Sequence, residues 1–197
     1  MAMIEQTEVT LKDGRRALLR SARGADGWRV NRFIREGFLT QEYLIRLPEE
    51  YLVTPWQERG RLRRRLQASD ELMLLAEANG AVVALLSTNT DKRRRARHNC
   101  EFGITVSRDW QGGGLGRAMI EILIHWAEGV ATLERLELHV VTANAPAIAL
   151  YHSLGFTVEG LRRGAVKYQD GRVLDDQLMC RRVDGTSAPG TKVETSA

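Results

Sequence analysis

The stretch Gln111–Arg117, with glycine at 112, 113, 114 and 116, constrains this chain more than any other part of it. It follows a strand-like run, Phe102 to Val106, and opens a helix-like run, Leu115 to Val130. A helix start carries backbone N–H groups without intrahelical partners and about half a positive charge, so it attracts anions. Glycine there permits positive φ and lets a ligand approach the main chain. Strand, glycine loop and helix in this order predict a cradle for phosphate, and above all for a diphosphate.

Spacing narrows the choice. A Walker-type loop needs Lys and then Ser or Thr where, counted from Gly112, this chain has Arg117 and Ala118. The dinucleotide fingerprint fails from Gly112, whose third glycine position is Arg117, and from Gly113, whose second is Leu115. The pattern that fits is Gln-x-x-Gly-x-Gly, carried by Gln111, Gly114 and Gly116. Downstream, the strand-like run Arg135–Val141 leads to Asn144, Ala147, Tyr151 and Leu154-Gly155-Phe156. In this order the two motifs resemble the Gcn5-related N-acetyltransferase (GNAT) family, over roughly residues 7 to 183.

The remaining sequence is that of a single domain. A chain of 197 residues suffices for one sizeable core. We expect the domain over 7–183 and a disordered tail over 184–197, where residues are small, polar and aperiodic. No apolar run approaches the roughly 20 residues of a membrane span, and the first residues lack a signal-peptide pattern, so a cytoplasmic location is expected. Cys100 and Cys180 form no metal or disulfide framework and read as reduced core thiols.

The expected fold class is α+β, a mixed, mostly antiparallel sheet of about seven strands flanked by helices. Strands are predicted over Arg15–Ser21, Glu71–Glu77, Ala81–Thr88, His98–Val106, Arg135–Val141, Phe156–Lys167 and Arg172–Arg182. Helices are predicted near Asp26–Glu36, Trp56–Ala68, Leu115–Val130 and Ala145–Leu154. Asn79-Gly80 signals a tight hairpin, and the strands around the central helix should be parallel.

The resemblance implies an enzyme that uses acetyl-CoA as co-substrate, with no metal. Amides of Gly112, Gly113, Gly114, Leu115, Gly116 and Arg117 would hold the pyrophosphate beside Gln111, with Arg117 or Arg108 adding charge. Main-chain groups of Ile104, Thr105 and Val106 would pair with the pantetheine arm and polarise the acetyl carbonyl. Asn144 would touch the pantetheine, although locally it also reads as a helix cap. Tyr151 would protonate the leaving thiolate, although a tyrosine in an apolar helix also reads as packing. His139 and Glu101 are the candidates for the base, with water as the alternative. His139 lies five residues before Asn144, where ribosomal-protein acetyltransferases carry a glutamate. His98, His125 and His152 have no ligand spacing.

The acceptor implied is a small-molecule primary amine, an amino acid or polyamine, attacking directly in a ternary complex. A protein N-terminus of ribosomal type and a non-catalytic acyl-CoA sensor are the alternatives. Phe38–Tyr51 and the Tyr168–Asp176 turn are expected to shape the acceptor site. A homodimer is compatible with the sequence. The basic runs Arg59–Arg65 and Lys92–His98 lack aromatic interleaving, which argues against nucleic acid.

Overall fold

The computed structural model describes residues 3–40 and 42–183, apart from the side chains of Phe38 and Thr40. The expected tail at 184–197, and Gln41 within the acceptor segment, lie outside the described residues. Eight strands form one sheet: β1 (Thr7–Thr10), β2 (Arg16–Ser21), β3 (Met73–Ala78), β4 (Ala81–Thr90), β5 (Asn99–Val106), β6 (Arg135–Val141), β7 (Thr157–Lys167) and β8 (Val173–Arg182). Their spatial order is β1-β2-β3-β4-β5-β6-β8-β7, and every pairing is antiparallel except β5 with β6. Four helices complete the fold: α1 (Gly27–Thr40), α2 (Pro55–Gln67), α3 (Leu115–Glu128) and α4 (Ala145–Ser153).

Local chemistry fixes most of these elements. Asn79 and Gly80 have φ of 50° and 77°, so the β3–β4 turn takes the doubly left-handed form that suits a twisted hairpin. At the start of α2, Thr54 accepts from the Gln57 amide at 3.3 Å while Gln57 accepts from the Thr54 amide at 2.8 Å. This reciprocal cap satisfies two otherwise orphaned donors. α3 buries Leu115, Met119, Ile120, Leu123, Ile124 and Ala127, the stripe that its periodicity predicts.

Helices cover both faces of the sheet. On one face α3 and α4 pack over Cys100, Phe102, Leu136, Leu138 and Val140. On the other, Val30 and Phe33 of α1 and Leu62 of α2 pack over Met73, Leu75 and Leu85. Both thiols are buried, and burial pushes Cys100 up to about 11 and Cys180 up to about 12. That agrees with inert core thiols.

The expected strand count was one short, and the missing strand is β1. It is a four-residue polar edge with only Val9 partly sheltered, so no alternation betrays it. Its continuation nonetheless supports the glycine loop. Leu11 is buried against Gly113, and the Lys12 amide donates to the Gly113 carbonyl at 3.0 Å.

Candidate active site

β5 and β6 pair only at Asn99–Arg135, Cys100–Leu136 and Glu101–Glu137, and then part. β4 stays beside β5 as far as Val106, and β8 stays beside β6 as far as Val141. The sheet therefore opens into a wedge with its apex after Glu101 and Glu137.

Strand geometry tells which groups face this wedge. The Ser107 amide donates to Val83 on β4, whereas the His98 carbonyl accepts from Glu134 and Arg135 at the β6 side. Main-chain groups alternate between the two edges of a strand. Ile104 and Val106 consequently turn their N–H and C=O toward the wedge, and those of Thr105 face β4. At the wide end Gln111 closes the edge, its Nε2 donating to the Val106 carbonyl at 3.0 Å.

The glycine loop stands at the same end. Gly112 and Gly114 have φ of 76° and 98°, and a Cβ at either would project into open space. These two glycines are demanded by conformation. At Gly116 a Cβ would make only ordinary contacts, 3.5 Å from Leu150 and 3.9 Å from Val106, so the fold itself does not require glycine there. Gly114 is the N-cap of α3 and supplies no side-chain acceptor. The first-turn amides of Leu115, Gly116 and Arg117 thus emerge from the helix end without internal partners. Together with the helix dipole they suit a diphosphate. Arg117 is partly engaged, with Ser153 at 2.6 Å and Glu121 at 3.5 Å.

α4 lines one side of the wedge. Asn144 caps it, Oδ1 accepting from the Ala147 amide at 3.3 Å. Only the oxygen is used, so capping leaves the Nδ2 donors for a ligand. Tyr151 is buried, and its ring meets Phe102 edge-on at 6.2 Å and Phe156 at 5.9 Å. Phe102 is the first β5 residue beyond the apex, which brings the phenol beside the opening. Burial pushes the Tyr151 hydroxyl up to about 12. The phenol therefore keeps its proton across the physiological range.

The opposite face carries the charges. In the cross-strand register Glu101, Glu137 and His139 share it with Asp176 of β8 and Arg162 of β7. Asp176 is fully buried and is gripped by Arg162, whose Nε lies 2.7 Å from Oδ1. Hydrogen bonding from Arg162 holds the Asp176 carboxyl below its ordinary value. His139 Nδ1 lies 3.6 Å from Asp176 Oδ2, with the ring about one-third exposed. Sequence reasoning found His139 and Glu101 but not the Asp176–Arg162 pair behind them. The available signal was an aspartate at an inward position of an alternating strand. Among the described residues no group of three or more His, Cys, Asp or Glu side chains is set to hold a metal ion.

A family model described as the acetyltransferase (GNAT) family matches residues 38–156. The chain belongs to this family. This acetyltransferase is 33% identical over 128 residues, 64% of its length and 74% of the relative's, to the L-amino acid N-acetyltransferase AaaT of Escherichia coli K12. It is 51% identical over 73 residues to the [ribosomal protein bS18]-alanine N-acetyltransferase of the same organism, a match spanning 36% of this chain and about half, 47%, of that one. Among solved structures, a GNAT-family acetyltransferase from Streptococcus pneumoniae superposes with a TM-score of 0.82 at 27% identity, covering 84% of this chain and 99% of that one. The yncA protein of Salmonella typhimurium, solved with its cofactor acetyl-CoA, gives 0.74 at 25%, covering 88% and 97%.

The Asp176 environment makes a measurable statement. A carboxyl held low stabilises the fold above its unfolded value, near 3.9, and loses that contribution as pH falls through the folded one. Arg162 is half exposed, so Arg162→Gln should cost about 1–2 kcal/mol at pH 7. In denaturant titrations the gap from the parent should narrow below about pH 4. A gap independent of pH would contradict the pairing.

Proposed function

We propose that this acetyltransferase moves the acetyl group of acetyl-CoA to the primary amine of a small molecule, an amino acid or polyamine. The observation that carries the reading is the wedge between β5 and β6 with a diphosphate cradle at its wide end. Pyrophosphate on the amides of Gly112–Arg117 would direct the pantetheine along β5, toward the main-chain groups of Ile104 and Val106. An amide there would polarise the thioester carbonyl where negative charge develops. The amine nitrogen attacks that carbon, the C–S bond breaks, and the thiolate takes the Tyr151 proton. The amine's own proton would leave toward Glu101 or His139, with Asp176 steadying the imidazole, or to water. We take residues 7–183 as the catalytic domain.

Two observations support a small acceptor over a protein N-terminus. The hairpin tip between β7 and β8 reaches the segment after α1, with Arg172 3.4 Å from Glu42, and this contact would narrow the acceptor side. The likeness to the L-amino acid enzyme also covers somewhat more of this chain, 64%, than the likenesses to ribosomal-protein enzymes in sequence, 36% and 55%. The ribosomal reading rests on the higher local identity. Thiol release measured across amino acids, polyamines and alanine-terminated peptides separates the two. Turnover with small amines is expected, and turnover confined to peptides would sink the proposal.

Tyr151→Phe keeps most of the packing but removes the proton. It should lower kcat by about 10²–10⁴ while acetyl-CoA affinity changes little. A stable variant with near-parental kcat would reduce Tyr151 to a core residue.

For the base, acceptor chemistry supplies the contrast. At pH 7 an α-amine is about 17% neutral and a lysine-type amine about 0.04%. If His139 relays the proton, His139→Gln should depress turnover more for polyamines than for amino acids. Equal losses, or none, would leave Glu101 or water in that role.

A further inference from the structure

The basic run on α2 has a use outside the acetyl-transfer wedge. Gln57, Gly60, Arg61 and Arg64 recur at helical spacing and form one wall of an open groove of about 800 Å³. Arg46, Glu50, Leu52 and Val53, from the segment before α2, form the other. No residue of β5, β6, the glycine loop or α4 lines it.

Three guanidinium groups face this groove against one carboxylate. Glu50 is already committed, its Oε2 accepting from the Leu47 amide at 2.9 Å. Arg61 is only 3.9 Å from Glu58, whose carboxylate also accepts from the buried Tyr51 hydroxyl at 2.9 Å. Elsewhere, arginines such as Arg20 and Arg32 sit in close ion pairs, with Asp26 at 2.8 Å and with Glu36 at 2.7 Å. The groove gathers three guanidinium groups on its two walls.

Gly60 also lines it. Glycine inside a helix is unfavourable relative to alanine, so its presence calls for a reason. Packing gives none: a Cβ at Gly60 would meet nothing within 4 Å, and its φ is not in the left-handed region. At Gly27, by contrast, a Cβ would strike the Arg59 backbone at 2.9 Å. A side chain at 60 would extend into open space beside Arg61 and Arg64.

We propose that this groove binds a small polyanion carrying two or more phosphate or carboxylate groups. Guanidinium forks match such oxyanions in charge and planar geometry. The volume is that of a small-ligand site. No aromatic side chain lines the groove, so nucleic-acid bases find no stacking platform. Leu52, 82% exposed, gives one wall an apolar strip for the ligand's skeleton.

The test is calorimetric titration of the full chain, saturated with coenzyme A so that the glycine loop is filled, with tripolyphosphate and separately with citrate. At least one should bind saturably at one equivalent, and the stronger identifies the oxyanion class. Arg46→Gln and Arg64→Gln are exposed changes and should each weaken binding about tenfold or more. Gly60→Leu keeps every charge and improves helix propensity, so it should abolish binding by placing a side chain in the groove while circular dichroism stays native. Absence of saturable binding by either anion would overturn the proposal, as would binding that survives both Gly60→Leu and Arg64→Gln. Saturable binding of a single-stranded RNA without binding of the small anions would overturn it too.

Discussion

The proposed acetyl-transfer site depends on β5 and β6 staying together for three residue pairs and no more. Parallel pairing at the apex fixes the relative position of the strands, and their separation beyond it makes room for a ligand between them. A fully paired sheet would consume the main-chain groups of Ile104. A sheet split from the start would lose the anchor that joins its two halves. Loop and helix α3 then lie at the open end because they are the crossover that parallel neighbours require.

The wedge separates two chemistries. On the α4 side, Phe102, Tyr151 and Phe156 form an aromatic group in which burial pushes the phenol further above its ordinary value. On the α1 and α2 side, Glu101, His139, Asp176 and Arg162 form a charged group in partial contact with solvent. An acyl transfer needs a proton delivered to the departing sulfur and another removed from the amine. In the proposed mechanism the donor stands on one face of the sheet and the acceptors on the other, which would keep the two proton paths apart.

What was legible in the sequence was what is local. The glycine loop, the Asn144 cap, the Asn79-Gly80 hairpin and the apolar stripe of α3 each depend on residues within a turn or two, and each is found where expected. The partners of His139 were not legible, because Asp176 and Arg162 reach it only through the register of β6, β8 and β7. β1 was missed because a polar edge strand carries no period. The basic runs divided in a way that composition cannot show. Lys92 pairs with Glu71 at 2.6 Å and Arg65 reaches the Thr88 carbonyl at 3.0 Å, whereas Arg61 and Arg64 turn to the groove.

The central claim is that the wedge, and not another surface, takes the acetyl carrier along the edge of β5. Amide hydrogen exchange with and without coenzyme A tests it directly. Protection is expected to rise at Ile104 and over Gly112–Arg117, with Thr105 little changed because its amide already faces β4. Protection confined to α1 or α2, with β5 and the loop unaffected, would contradict the account.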